Sequence, residues 1–413
     1  MKRALGNWVT GEYFWDRKEE LELFLEYIRK GANILLTAPR RIGKTSLMRE
    51  AESRLGEEFL CLQVDFQKAQ SAADAIVELT VAMSPHLPLW SKAATVFSGL
   101  WKRISGTVEA IKVHELSVQL RSEVSEKDWR DKGERLLEIL AESERPVVLF
   151  LDEVPILVNR ILQGGDYRVT DERRRATDEF MSWLRDNTIK HKGKLRIVVT
   201  GSIGLEPVLR YAGLNATLNT FVPFPLGAWQ PDVARDFLCE VATESGLTLP
   251  PEVASGMVGR VGYCIPHYVQ VYFENVYRAC KMSSATEVSD SLAEYVYEHS
   301  MLSVQGHAEL SHLEERLRMV LGPERSPLAM ELLTELAVTG KLTPDSVTVI
   351  SAGYSFGDKA TEATVREILG ILEHDYYIEP NSDGTYRPVS KLLMDWWKAR
   401  FSFGYIKASE RAR

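Results

Sequence analysis

Cysteine is scarce in this sequence, and the few cysteines are far apart. Only 4 of the 413 residues are cysteines, and no two of them form a CxxC pair. Zinc sites and disulfide-stapled folds both need several cysteines at short spacings. Neither class of protein is indicated, and we expect the thiols to be reduced and buried.

Long apolar runs are also missing. The N-terminal residues lack the apolar core of roughly 7–15 residues that defines a signal peptide. No later run approaches the roughly 18 apolar residues of a membrane span. We therefore expect a cytoplasmic protein with no membrane partner.

An excess of basic residues is absent too. Lys and Arg total 50 against 58 Asp and Glu, which gives a formal net charge of -8. This balance disfavours a protein dominated by nonspecific binding to the phosphate backbone of nucleic acids, although a local basic face stays open. The remaining composition is ordinary for a folded chain, and at about 150 residues per domain the length suggests two or three domains.

Short apolar segments alternate with helical patterns in the first half of the chain. An amphipathic helix at residues 17–30 precedes a strand at 32–37, and further strands are predicted at 59–66, 147–151 and 195–200. Strands that alternate with helices indicate a parallel α/β sheet. Within an insertion at about 70–145 we predict a helix around Leu100 and Trp101 and a hairpin or extended segment at 108–120.

The second half is helical until close to its end. Residues 230–303 read as helices interrupted by a turn at 262–266, and three more helices are predicted at 327–336, 343–352 and 361–372. An Asp383-Gly384 hairpin follows, and three helices with a hairpin suggest a winged helix. The predicted fold is α/β: a P-loop NTPase parallel sheet at 1–228, a helical lid subdomain at 229–322 and a C-terminal winged-helix domain at 323–413.

The segment after the first strand has the spacing of a phosphate-binding loop. Four residues separate Ala38 from Gly43-Lys44-Thr45, which matches a Walker A loop except for its first glycine. Backbone N–H groups of such a loop converge on a phosphate, Lys44 supplies a positive charge and Thr45 can ligate Mg²⁺. Ala38 is expected to cost affinity, because alanine adopts left-handed dihedrals with strain. The alternative is an ordinary strand-to-helix loop.

Two carboxylates follow the buried strand at 147–151. Asp152 and Glu153 stand where a Walker B motif places its acidic residues. Asp152 is expected to hold Mg²⁺ directly or through water, and Glu153 to polarise the attacking water. The alternative is a pair of solvated acids or a helix N-cap.

The next strand ends in Gly201-Ser202. A polar side chain at this point can sense the γ-phosphate of a bound nucleotide, so Ser202 is the sensor candidate. A serine in a glycine turn is the alternative.

Four segments together carry a family resemblance. They are FWDRKEEL at 14–21, APRRIGKTSL at 38–47, LFLDE at 149–153 and VTGS at 199–202. In combination they resemble the archaeal-type ATPase family, a branch of the P-loop NTPases near the STAND and AAA+ groups, and the similarity extends to the C-terminus. The resemblance implies an ATPase that uses ATP and Mg²⁺.

The resemblance also implies roles for single residues. Phe14, Asp16 and Arg17 would flank the nucleotide base, and Pro266 with His267 would belong to the lid. Arg185, on the helix before the Ser202 strand, is the candidate for a trans-acting arginine. The other loop residues near the phosphates would be Pro39, Arg40, Arg41, Ile42 and Ser46. The alternatives are a helix start capped by Asp16 and a histidine satisfied on its own helix face.

Charge bears on whether the C-terminal domain contacts DNA. From Arg325 to the end there are 11 Lys and Arg against 12 Asp and Glu, a net of -1. A reader of nucleic acid is expected to show a basic footprint. The charge favours a protein-facing or intramolecular role, and DNA contact stays an alternative.

The main hypothesis is an Mg²⁺-dependent ATPase that acts as a molecular switch and couples nucleotide state to an unidentified protein partner or to self-association. One alternative is a nucleotide-binding interaction module with negligible turnover. Another is a DNA-associated ATPase that binds duplex through the winged helix. The sequence does not distinguish ATP from GTP, because no base-specific residue is secure.

Overall fold

The computed structural model describes residues 9–11, 14–97, 113–356 and 361–411. The chain divides into two compact units. The core unit comprises Arg17–Ala38 and Lys44–Leu226, and the helical unit comprises Gly227–Arg413 with Pro39–Gly43 and the residues up to Asp16. The three-domain boundaries proposed from the sequence stay a prediction.

A five-stranded sheet forms the centre of the core unit. Its strands are β1 (Asn33–Thr37), β2 (Leu60–Asp65), β3 (Val147–Asp152), β4 (Leu195–Thr200) and β5 (Phe221–Pro225). They lie in the order β2-β3-β4-β1-β5, and every neighbouring pair is parallel. Apolar side chains fill the central strands because parallel sheets are covered by helices on both faces.

Helices connect these strands. They are α1 (Lys18–Arg29), α2 (Lys44–Leu55), α3 (Ala72–Met83), α4 (Leu87–Ala94), α5 (Val113–Glu123), α6 (Trp129–Ala141), α7 (Val154–Gln163), α8 (Asp171–Lys190) and α9 (Leu205–Ala212). Side-chain caps fix two of the helix starts: Ser71 accepts a hydrogen bond from the backbone of Asp74, and Thr170 accepts one from Arg173. Such caps satisfy backbone N–H groups that the helix itself leaves unpaired.

The sequence prediction for residues 108–120 was wrong where the structure describes them. Residues 113–120 belong to α5 and are not extended. Leu116 and Leu120 are buried, whereas Val118 is 56% exposed, which is the spacing of one helix face and not of a strand. The predicted helix around Leu100 and Trp101, and residues 108–112, lie outside the described residues.

Strand β5 was missed by the sequence prediction. Its sequence Phe-Val-Pro-Phe-Pro contains two prolines, which cannot donate to a sheet ladder. The structure resolves the conflict by placing β5 at the edge of the sheet, where it pairs with β1 alone.

The helical unit begins with four helices and continues through a long kinked one. Its elements are α10 (Pro231–Glu244), α11 (Pro251–Val261), α12 (Pro266–Ser283), α13 (Asp290–Val296), α14 (Val304–Thr339), α15 (Pro344–Ser351), α16 (Thr361–His374), β6 (Ile378–Pro380), β7 (Tyr386–Pro388) and α17 (Lys391–Phe401). β6 and β7 pair as an antiparallel hairpin. Non-helical dihedrals at Gly322, followed by Pro323, break α14 into two helical segments.

Paired tryptophans hold the last helix in the core of the helical unit. Trp396 is 1% and Trp397 0% exposed. The Trp397 indole donates a hydrogen bond to the Thr334 hydroxyl at 3.0 Å. Both residues are therefore packing anchors of α17 against α14.

The predicted α/β fold class is confirmed by the parallel sheet and its helical segments. Among the described residues, the structure contains no helix that combines the length and the apolar character needed to cross a bilayer.

Candidate functional site

The carboxyl ends of four adjacent strands meet at one edge of the sheet. Leu36 of β1 is level with Thr200 of β4, and Asp152 of β3 is level with Asp65 of β2. Because parallel strands end together, the loops after β1, β3 and β4 all start from this edge. Ligands of open α/β sheets bind outside the carboxyl ends of the strands.

The loop after β1 contains two residues in the left-handed region of φ. Gly43 has a φ of 102°, which favours glycine, and Arg41 has a φ of 64°, which is unusual for a residue with a side chain. Ala38 is not among the residues with positive φ. No left-handed dihedral is required at Ala38, so alanine replaces glycine there without backbone strain, and an effect on nucleotide affinity stays a prediction.

Lys44 is the first residue of α2, and its side chain is buried. The Lys44 Nζ donates to the Ala38 carbonyl at 3.4 Å. The pKa of Asp152 is raised by burial, and the positive charge of Lys44 opposes this rise. The ammonium therefore lies within electrostatic reach of Asp152. Thr45 follows in the first turn of α2 and is half-buried.

Asp152 stands at the end of β3 in a desolvated setting. Burial, followed by the adjacent charge of Glu153, raises the pKa of the Asp152 carboxyl from 3.8 to about 6, against the opposing effect of Lys44. The Asp152 Oδ1 accepts a hydrogen bond from the backbone N–H of Glu153 at 2.9 Å. A cation bound beside this carboxyl would offset the cost of its buried negative charge.

Glu153 is oriented by the loop after β4. Its Oε2 accepts hydrogen bonds from both the backbone N–H and the hydroxyl of Ser202, each at 2.9 Å. Glu153 adopts a φ of 59°, and a left-handed conformation at a residue with a side chain is a cost that functional sites often carry. The structure thus brings the predicted water-activating residue and the predicted sensor into direct contact.

Gly201 makes this contact sterically feasible. A Cβ at this position would lie 2.4 Å from Cδ of Pro155 and 3.5 Å from Oε2 of Glu153. Any side chain there would force the turn away from α7. The absence of a side chain is therefore a requirement of the Glu153–Ser202 contact.

The order of the strands, together with the phosphate loop after β1 and the acidic pair after β3, decides the fold. The fold is that of the P-loop NTPases. No protein-family model and no curated protein matches the chain, but solved structures do.

Two of these structures resemble the chain over nearly its whole length. A Walker-type ATPase of Pyrococcus abyssi is 20% identical, with 96% of this chain and 99% of that chain covered and a TM-score of 0.61. The ORC2 protein of Aeropyrum pernix, solved in ADPNP–ADP complexes, is 12% identical, with 96% and 98% covered and a TM-score of 0.51. At these identities the similarity describes the fold.

The described residues contain no group of three or more His, Cys, Asp or Glu side chains that could hold a metal ion. Mg²⁺ usually takes only one or two carboxylates from a protein and completes its shell with waters and substrate phosphates. Asp152 and Thr45 are the residues that would supply protein oxygens.

The N-terminal segment has an unusual backbone before α1. Asp16 and Arg17 have φ values of 42° and 95°. The N-cap of α1 is Arg17, and no side chain caps it, so the alternative of an Asp16 cap was wrong. Phe14 is half-buried, and Arg17, which is 4% exposed, pairs with Glu20 at 3.3 Å. Their role at a base stays a prediction.

Trp15, in the same segment, packs against aromatic residues of the helical unit. Its ring packs edge-on against Phe237 with the ring centroids 5.9 Å apart, and Phe237 contacts Trp229. The indole N–H of Trp15 is buried without a hydrogen-bond partner in the described residues.

The two residues predicted to belong to a lid lie at the start of α12. Pro266 is the first residue of this helix, and its missing N–H is not needed there. His267 follows, and its Nε2 is hydrogen-bonded to Nη1 of Arg41. The two residues that resemblance assigned to the lid and to the phosphate loop are thus in contact within the helical unit.

The structure does not bring Arg185 to the carboxyl edge of the sheet. It lies about one and a half turns before the end of α8, and only residues 191–194 connect this helix to β4. The C-terminal part of α8 therefore lies nearer the amino ends of the strands. Arg185 pairs with the neighbouring Asp186 at 3.2 Å, and its trans-acting role stays a prediction.

Proposed function

We propose that the chain is an Mg²⁺-dependent ATPase that acts as a nucleotide-controlled switch. The observation that carries the proposal is the convergence of Lys44, Asp152 and Glu153 at the carboxyl edge of one parallel sheet. A phosphate-binding loop needs a lysine to neutralise charge, and hydrolysis needs an acid for the metal and a base for water. Residues of all three kinds are present.

Each residue has a distinct proposed role. Lys44 and the backbone N–H groups of residues 39–46 hold the phosphates. Asp152, with Thr45, holds Mg²⁺, which when bound neutralises charge on the phosphate oxygens. Glu153 takes the proton of the attacking water as general base. Ser202 senses the terminal phosphate through its contact with Glu153.

A second candidate function is supported by that same contact. Both donors of Ser202 engage Oε2, one of the two carboxylate oxygens of Glu153 that could accept a proton from water. If this arrangement persists with nucleotide bound, the protein is a nucleotide-binding interaction module with negligible turnover. Partner coupling through the helical unit, including a winged-helix role for residues 323–413, belongs to the proposal in both forms.

Steady-state phosphate release from ATP and Mg²⁺ tests the proposal. The wild-type protein is compared with Lys44→Ala, which removes the phosphate charge, and with Glu153→Gln, which keeps the size of the side chain but removes the base. Turnover that is lost in both variants supports the ATPase. Tight ATP binding by the wild type without turnover supports the interaction module.

A parallel series with duplex DNA at several salt concentrations tests the DNA-associated alternative. Binding that weakens steeply with salt, together with stimulated turnover, would favour DNA association. If duplex DNA binds weakly with no dependence on salt and does not stimulate turnover, a protein partner or self-association is favoured. The same series with GTP decides the base preference. Absence of ATP binding in the wild type would overturn the proposal.

A further inference from the structure

A group of basic side chains comes together in the helical unit, and only part of it was anticipated from the sequence. We name it the basic cluster. Its members are Arg40, Arg41, His267, His312 and Arg316. His312 and Arg316 lie one turn apart on the first segment of α14, so one face of this helix contributes two members.

The charges of the other members act on the His312 side chain. The pKa of His312 is lowered to about 3, first by burial and then by the charges of Arg40, Arg41, Arg316 and His267. The three arginines and His267 are thus close enough to act on one imidazole. His312 is neutral at physiological pH in the ligand-free protein, and its ring offers one N–H donor.

His312 is the member that points to a ligand. It is only 8% exposed, and neither of its ring nitrogens has a hydrogen-bond partner in the described part of the chain. The Nε of Arg316 is likewise buried and unpartnered. A buried polar group without a partner destabilises the folded protein, so such groups are rare unless something else satisfies them.

An anion is the ligand that the charges favour. Arg316 forms a buried ion pair with Asp375 at 3.2 Å, which leaves its Nε available on another side. His267 lies in the first turn of α12, where the helix N-terminus adds a partial positive charge. Donors from the guanidinium groups and imidazole rings suit a negatively charged group that only accepts hydrogen bonds.

We propose that the basic cluster, completed by His312 and Arg316, binds a phosphoryl group. Arg40 and Arg41 belong to the same loop as Lys44, so the terminal phosphate of a nucleotide is one source of this group, and for that source the inference rests on the proposed function. Free orthophosphate shares the chemistry and is the other source. His312 donates to a phosphate oxygen, and Arg316 adds charge and Nε–H.

The first experiment uses orthophosphate and is independent of nucleotide binding. Full-length Lys44→Ala protein is titrated with sodium phosphate at constant ionic strength, with sodium chloride as the control, and the melting temperature is followed. We expect phosphate to raise the melting temperature of the Lys44→Ala protein. When His312→Asn is added to this protein, we expect the same rise to need about tenfold more phosphate or a still higher concentration.

Two lysine variants supply a matched comparison. Arg316→Lys keeps a charge for Asp375 but removes the fork of donors, and we expect several-fold weaker phosphate binding. Arg325→Lys changes an arginine on the same helix that is 9% exposed and paired with Glu367, and it is expected to bind phosphate like the parent. Equal effects of both variants would indicate general destabilisation and overturn the assignment.

The second experiment decides the source of the phosphoryl group. Equilibrium affinities of ATP and ADP are measured for the wild type and for His312→Asn. A terminal phosphate in the cluster predicts that ATP binding weakens about tenfold and ADP binding less than twofold. If free orthophosphate is the ligand of the basic cluster, His312→Asn leaves the affinities for ATP and ADP unchanged. The variant then weakens only the stabilisation by orthophosphate.

One combined result overturns the inference: neither the orthophosphate effect nor the ATP affinity changes in His312→Asn. Failure of the proposed function has a different signature, since the wild type then binds no ATP whereas orthophosphate still stabilises the Lys44→Ala protein in a manner that depends on His312.

Discussion

Replacement of Asp152 by asparagine is expected to stabilise the nucleotide-free protein. The native pKa of Asp152 is raised from 3.8 to about 6, so its native carboxyl gives up its proton less readily than the unfolded one. Folding stability is therefore lost as the pH rises from about 4 to about 6, and the full penalty is present above that range. Asparagine has the same shape, carries no charge and can still accept the hydrogen bond from the Glu153 backbone.

The size of the effect follows from the two pKa values. Their difference of about 2.2 corresponds to about 3 kcal/mol at about 1.4 kcal/mol per pKa unit, fully present near pH 8. Near pH 5 the native group is mostly protonated and the unfolded one mostly ionised, so about half of the gain is expected there. Near pH 4 little of it remains.

Urea unfolding of wild type and Asp152→Asn at these three pH values is the assay. Asp65→Asn is the matched control, because Asp65 lies level with Asp152 on the neighbouring strand but is exposed, and a much smaller gain is expected there. With Mg²⁺ and ATP present the order reverses, since the wild type gains ligand binding that the variant loses. The reasoning would be refuted if the gain in unfolding free energy of Asp152→Asn did not change with pH. It would also be refuted if Asp65→Asn gave an equal gain.

Three further predictions concern single contacts. Gly201→Ala is expected to destabilise the protein by about 1–3 kcal/mol, because the new methyl group overlaps the packed proline ring of α7; chemical unfolding measures it. Ser202→Ala keeps the backbone N–H but loses the hydroxyl bond to Glu153, and phosphate release is expected to become slower while ATP affinity changes little. Asp375→Leu leaves the Arg316 guanidinium buried without its ion pair, which is expected to cost about 3–5 kcal/mol in the unfolding free energy.

Each of these predictions has a control or a result that would contradict it. Gly227 has open space at its Cβ position and no positive φ, so Gly227→Ala should leave stability nearly unchanged. Ser202→Ala with wild-type turnover contradicts a role for the hydroxyl. The exposed pair of Arg366 and Glu362 is expected to contribute at most about 1 kcal/mol to the unfolding free energy. If breaking this exposed pair lowers the unfolding free energy as much as Asp375→Leu does, the argument from burial is wrong.

Much of the site could be predicted from the sequence because its signals are local. The spacing from Ala38 to Thr45, the apolar strand before Asp152 and Glu153, and the Gly201-Ser202 end of β4 all lie within single strand–loop segments. Parallel strands bring such segments to one edge. The helix at residues 113–120 was misread because Val, Leu and Ile at short spacings fit both periods, and only burial separates Leu116 and Leu120 from Val118.

Other features depend on the third dimension. The edge position of β5 reconciles its prolines with a sheet, and no local pattern reveals that position. The N-terminus of α1 lacks the Asp16 cap because two consecutive left-handed residues precede it. The left-handed dihedral considered for Ala38 is absent, because the dihedral angle at that position is set by the whole loop and not by the identity of one residue.

The sequence by itself determined the α/β class, the phosphate loop and the acidic pair, since each is encoded by the periodicity and spacing of neighbouring residues. Only the tertiary structure decided that Ser202 holds Glu153 and that His312 and Arg316 join the two arginines of the loop. Glu153 and Ser202 are on different strands, and His312 is far along the chain from Arg41. Contacts of this kind arise from packing, and packing depends on all elements of a unit together.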